Sequence, residues 1–298
     1  MSHGAVVALI GTALGIAAWL LSGPVAGGEH LGSHVWTPPF RDAGGYSALW
    51  LAPEGPGFVT LSDRGSWIRG TLARDVDGVV SGVTVTSSGA LAPEAGRRRA
   101  AEKWGRDAES IAEAGGAFFV AYEGRHRIMR FDGLDGVPVP LPVPPDFGSF
   151  DNNAGIEALA ADASGALYAI PEETGDLRRP FPVFRFADGE WTTPFALPRR
   201  GGYLVSGADI GPDGRLYVLE REFAVIGFRT RVRSVELDGG DERTELESHL
   251  GQHDNLEGID VWQDAEGRLR VTMISDDNQM PRFQRTELVD YLLRQDDG

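Results

Sequence analysis

A hairpin that recurs about every fifty residues constrains this chain more than any other feature of its sequence. The copies are GYSALWLAPEGPGFVTLSDRG from Gly45, DAESIAEAGGAFFVAYEGR from Asp107, GIEALAADASGALYAIPEETG from Gly155, VSGADIGPDGRLYVLERE from Val205 and NLEGIDVWQDAEGRLRVTMISDDNQ from Asn255. Each has a short apolar run, a turn containing glycine, a second strand of aliphatic and aromatic residues, and then a carboxylate. That order is the signature of a β-hairpin. One position of the first strand reads Ser47, Glu109, Glu157, Ser206 and Glu257, and the position after the second strand reads Asp63, Glu123, Glu172, Glu220 and Asp276. Spacings in the first series are 62, 48, 49 and 51 residues. A period of about 50 residues built from strands is what a four-stranded propeller blade consumes, and it excludes helical repeats.

The long first spacing is explained by an insertion at residues 93–107, polar and basic, expected to form a loop or short helix. Further strands follow the hairpins in RIMRFD, GVPVPLPVP, PVFRFADGEWTTPFALP, RTRVRSVELDGGDERTELESHL and QRTELVDYLL. Proline inside VPVPLPVP suits an outer edge strand, where a missing N–H is tolerated. The fifth unit runs out of chain with one strand lacking. HVWTPPF, which precedes the first hairpin, is expected to supply that strand and lock the ring. The expectation is therefore an all-β fold, a β-propeller of five four-stranded blades closed by an N-terminal strand, with six blades as the alternative.

In a propeller the innermost strand lines the channel and the second returns antiparallel beside it, so both series of acids converge on one channel mouth. Crowded carboxylates either share protons or are neutralised by a hard cation, and an oxygen-only donor set suits Ca²⁺, with Mg²⁺ second, better than Zn²⁺. Asn152, Asn153, Asn255 and Asn278 add neutral oxygens nearby. The plainer alternative is that single acids bond arginines or backbone N–H groups between blades. Arg64, Arg125 and Arg221 lie beside the acids and suit an anionic substrate, or equally an internal ion pair. His126 is the histidine nearest a repeat acid, and a turn on the surface is the commoner place for it. No G-x-S-x-G elbow, H-E-x-x-H pair or P-loop is present, so metal-activated water is the economical route to hydrolysis.

The net charge of −16, from 44 acids against 28 basic residues, argues against nucleic acid and anionic membrane surfaces as partners. Absence of cysteine excludes disulfides and thiolate metal sites. Residues 5–23 are apolar and uncharged and are followed by PVAGGEH, as in a signal peptide cleaved near Val25-Ala26-Gly27 or an uncleaved membrane anchor. Residues 1–28 are set apart on that basis, and residues 29–298 are read as one domain, periplasmic or secreted, with an inner-membrane anchor as the variant.

SDRG, DAESIA, YEG, GIEALA, LERE, LEGID and SDDN, in this order, resemble the phytase-like propeller family described as having esterase-like activity. The resemblance spans residues 44–292 and implies an exported, calcium-dependent esterase or phosphoric ester hydrolase. The chain departs from the β-propeller phytases in lacking a run of consecutive aspartates; Asp276-Asp277 is the nearest. With the mouth read as the site, Glu157, Glu257, Asp63 and Glu123 are the expected catalytic acids, and Arg64, Arg125 and Arg221 the substrate-binding residues. Glu109, Glu157, Glu220, Glu257, Asp276 and Asn255 are the expected metal ligands. The expected partner is a small anionic ester, met by a monomer. Two alternatives stand beside this reading: a lactonase-type propeller hydrolase with one Ca²⁺ at the mouth, and a non-enzymatic envelope binding or scaffold propeller with a structural cation.

Overall fold

The structure, a computed structural model, describes residues 27–40, 44–94, 106–123, 126–144, 155–224, 226–278 and 284–294. Among them there is no helix, and strands β1 to β20 form five four-stranded antiparallel sheets. Strand β1 (Glu29–Val35) comes first. Blade one is β2 (Tyr46–Leu51), β3 (Gly57–Ser62), β4 (Ser66–Arg74) and β5 (Val80–Ala90). Blade two is β6 (Ala108–Ala114), β7 (Ala117–Tyr122), β8 (Arg127–Phe131) and β9 (Val139–Pro140). Blade three is β10 (Ile156–Ala161), β11 (Leu167–Pro171), β12 (Phe181–Ala187) and β13 (Glu190–Leu197). Blade four is β14 (Leu204–Ile210), β15 (Leu216–Ala224), β16 (Gly227–Val235) and β17 (Arg243–Glu247). Blade five is β18 (Asn255–Gln263), β19 (Leu269–Asp276) and β20 (Glu287–Leu292), completed by β1 on the outside of β20.

The propeller therefore has five blades, and the six-blade alternative falls. The closing strand is the N-terminal one, but it lies upstream of HVWTPPF and shares only His34 and Val35 with it. The reason is local. Pro38 and Pro39 have no N–H to give a ladder, and Trp36 turns inward to stack on Tyr46 at 5.3 Å. EHLGSHV instead runs antiparallel to β20, from Glu29 opposite Leu292 to Val35 opposite Glu287.

Five apolar clusters fill the five interfaces between neighbouring blades. Ala48, Leu61, Val120 and Phe131 lie between blades one and two; Ala121, Ile156 and Phe184 between two and three; Phe181, Val205 and Val218 between three and four. Leu219, Val232 and Met273 lie between blades four and five, and Phe58, Ile68 and Ile274 between five and one. Each of the larger side chains contributes about 1.5–3 kcal/mol on burial, so the ring is held mainly by blade-to-blade apolar contact.

Inner strands have a free edge toward the channel, with backbone groups no ladder satisfies. Side chains of the preceding blade meet some of them. Ser47 Oγ donates to the Ala108 carbonyl (2.5 Å) and Ser206 Oγ to the Leu256 carbonyl (3.0 Å). Asp209 accepts the Val261 N–H and Asp260 the Leu51 N–H, each at 2.7 Å. The two serines that interrupt the acidic series are thus latches between blades.

Candidate active site

In every blade the pairing of the two inner strands slips by one residue at the same place. The slips fall between Tyr46 and Ala48, Ala108 and Ser110, Ile156 and Ala158, Val205 and Gly207, and Leu256 and Gly258. The extra residues are Ser47, Glu109, Glu157, Ser206 and Glu257, all buried. A β-bulge leaves its extra residue out of the ladder, bends the strand and re-aims the side chain. The first repeated position of the sequence is therefore a ring of five bulges at one mouth of the channel.

The same pairing fixes the second series. Asp63 N–H donates to the Gly45 carbonyl, Glu123 N–H to Asp107 and Glu172 N–H to Gly155, while Arg221 pairs with Leu204 and Asp276 with Asn255. The fourth member is thus Arg221, and Glu220 is one residue out of step. Successive strand residues face opposite sides of a sheet, so Glu220 turns away from the mouth into the blade. There it is fully buried and accepts from Arg231 Nε (2.7 Å), Arg233 Nε (2.8 Å) and Arg233 Nη2 (2.5 Å). Expected as a metal ligand, Glu220 is instead the centre of a structural ion triad.

Glu109, Glu157 and Glu257 point into a crowd that also contains Glu123, Glu172, Asp107, Asp63, Asp276 and Asp277. Burial, then Glu157 and Glu257, raises Glu109 well above the usual carboxylate range. Burial and Glu172 do the same for Glu157, against the pull of Arg221. Glu123 is pushed up to about 7 by burial, Asp107 and Glu172, and Asp276 to about 8 by burial and Glu257. Glu172 is also raised, burial outweighing the charge and hydrogen bond of Arg221. Crowding of this kind is relieved by protonation or by a hard cation.

Of the three predicted arginines, Arg64 stands exposed on the turn after Asp63, and Arg125 lies outside the described residues. So do Asn152 and Asn153. Arg221 is drawn into the crowd: Nη1 donates to Glu257 and to Asn255 Oδ1 (2.7 Å), and Nη2 to Glu172 (3.1 Å). Asn255 Nδ2 in turn donates to Glu257 (2.8 Å). Arg221 and Asn255, expected as substrate and metal contacts, are thus partners of each other and of Glu257. Asp276 accepts the Asn278 N–H (2.8 Å), and Asp277 accepts the Gly45 N–H (3.1 Å). Gly45 has φ +69°, and a Cβ there would lie 2.3 Å from Asp63 Oδ1, so this approach requires glycine.

Asp107, Glu109 and Glu123 bring one carboxylate oxygen each to within 4.8 Å of one another. That set fits Ca²⁺ or Mg²⁺, which take oxygen ligands from several carboxylates. Asp107 is not among the acids the sequence singles out, and Asp277 is named there only as part of the Asp276-Asp277 run. Asp107 closes the inserted segment, so it reads as loop, yet the D-x-E spacing with Glu109 matches N-x-E at Asn255 and Glu257 and was the available signal. A cavity of about 1470 Å³ opens at the opposite mouth, lined by the inner-hairpin turns. Its arginines Arg74, Arg268 and Arg270 are tied to Asp290 and Asp264, so the acidic mouth is the better candidate for chemistry.

The family model for phytase-like proteins, described as esterase-like activity of phytase, matches residues 41–279. The chain belongs to this phytase-like family. The match covers the hairpins of all five blades and so the whole phytase-like acidic mouth. No curated protein matches the chain at a significant level. Among solved structures, an endo-arabinase from Bacteroides thetaiotaomicron is similar over 89% of this chain and 99% of its own, with a TM-score of 0.53 and 14% identity. A luciferin-regenerating enzyme (TM-score 0.47, 12% identity, 83% and 92% of the two chains) and an aldose sugar dehydrogenase from Streptomyces coelicolor (0.45, 12%, 91% and 100%) resemble it more loosely. At these identities the likeness to the arabinase concerns the fold alone.

Proposed function

We propose that this phytase-like propeller is an exported, calcium-dependent ester hydrolase acting on small anionic esters, phosphoric esters first among them. The observation that carries the reading is the convergence of Asp107, Glu109 and Glu123 oxygens within 4.8 Å at the channel mouth. These three residues would hold the ion. When bound, it supplies Lewis-acid polarisation and a water of lowered pKa. Glu157, held above the usual range by burial and Glu172, keeps a proton to give to a leaving oxygen. Arg64, exposed beside Asp63, meets the anionic group of the ester. Glu257 and Asp276 complete the electrostatic frame of the mouth. Residues 1–28 direct export to the periplasm or beyond.

The test is a panel of phosphate, carboxylate and lactone esters, assayed with Ca²⁺, with Mg²⁺ and with chelator. Calcium-dependent turnover that Glu109→Gln abolishes supports the proposal. Turnover of lactones alone moves the protein to the lactonase reading, and no turnover under any condition moves it to a binding propeller.

A further inference from the structure

Four blades present an acid in the second series at the mouth, and blade four presents Arg221. Its side chain is largely enclosed, with 17% of its surface open to solvent. The guanidinium reaches three blades: its own, Glu172 of blade three, and Glu257 with Asn255 of blade five. Burial alone would lower its pKa, but Glu257, Glu157 and Glu172 hold it charged, above its ordinary value. Two carboxylates and an amide oxygen directed at one positive centre, with Glu157 close by, are a donor set of the type a hard cation takes. Arginine fills it with a fixed, planar fork and a single charge that cannot be titrated away.

We propose that Arg221 is a built-in cation occupying the second cation position of the mouth, so that the protein binds one divalent ion, on Asp107, Glu109 and Glu123, where its acids would otherwise hold two. The inference rests on the metal reading above. It explains why the acids divide into two groups. On the side of blades three and five, Glu172 and Glu257 are bonded to a guanidinium. On the side of blade two, Asp107, Glu109 and Glu123 bring carboxylate oxygens within 4.8 Å of one another, the set proposed above for the exchangeable ion. Removing Arg221 would leave Glu172, Glu257 and Glu157 buried without their counter-charge, a state that only protons or a cation relieve.

The experiment counts bound Ca²⁺ by equilibrium dialysis and native mass spectrometry on the exported form of wild type, Arg221→Met and Arg221→Lys. Expected are one ion for wild type, two for Arg221→Met, and one for Arg221→Lys, which restores a charge. Adding Glu109→Gln should remove one ion from wild type and from Arg221→Met alike. Equal counts for wild type and Arg221→Met, or two ions in wild type, overturn the proposal. No ion in wild type but one in Arg221→Met would sink the metal reading of blade two while sustaining the role of Arg221; no ion in either sinks both. If the metal-free Arg221→Met chain does not fold, calcium is expected to refold it, and failure of calcium to do so overturns the proposal.

Discussion

Replacing Glu123 by Gln should make the metal-free protein more stable while removing its response to calcium. Glu123 is pushed up from the usual 4.5 to about 7, first by burial and then by Asp107 and Glu172. The folded carboxyl holds its proton more tightly than the unfolded one. Its contribution is therefore favourable below about 4.5 and is lost as the pH rises through about 7. At about 1.4 kcal/mol per pH unit, ionising it in the fold costs up to roughly 3 kcal/mol. Its half-open position screens that to about 1–2 kcal/mol. Glutamine does not ionise, so at about pH 8 in chelator the variant should melt roughly 2–4 °C above wild type. At about pH 4 the two should coincide. Calcium at about 100 times its Kd stabilises a one-site protein by about 2.7 kcal/mol, or roughly 5 °C here. Glu123→Gln should lose most of that shift. Thermal melts at the two pH values, with calcium and with chelator, read all four quantities. A variant no more stable than wild type at pH 8 in chelator would refute the electrostatic reasoning, and an undiminished calcium shift would refute Glu123 as a ligand.

Glu220→Ala strands Arg231 and Arg233 in the interior of blade four, and should cost about 3–5 kcal/mol in denaturant unfolding while leaving the calcium shift of the remaining folded protein unchanged. Gly45→Ala places a Cβ against Asp63 in a left-handed backbone, and is expected to lose more than about 1 kcal/mol together with ester turnover. Asp209 is pushed up to about 7 by burial, so its favourable contribution fades as the pH rises toward neutrality. Asp209→Asn keeps an oxygen for the Val261 N–H and should raise the melting temperature above about pH 7, with no effect on calcium binding. A gain at low pH as well would contradict that account.

The five-bladed ring and its closing strand were legible in the sequence because period and hairpin signature survive any error of one residue. The candidate site is less forgiving. LERE offers an acid on each side of Arg221, and only the pairing of Leu204 with Arg221 shows which of the three faces the channel. Chemistry alone favoured Glu220, and the side of the sheet decided against it. HVWTPPF carried the right role at the wrong place, since Trp36 turns into the core and Pro38 and Pro39 have no N–H to give a ladder. Asp209 and Asp260 were passed over because they sit inside apolar strands, and the backbone N–H each one meets belongs to the next blade.

The bulge at each inner strand separates two kinds of information in this chain. A residue in a ladder is bound to the alternation of its neighbours, so exchanging it for one of different polarity disturbs the sheet. A residue outside the ladder carries no such obligation. Ser47, Glu109, Glu157, Ser206 and Glu257 can be rewritten one at a time, serine to glutamate or the reverse, without shifting any blade's register, at the cost of the latch to the next blade where Ser47 or Ser206 is replaced. The mouth then behaves as five sockets on an unchanging frame, and a series of proteins differing only there would vary charge and ion number while keeping one fold.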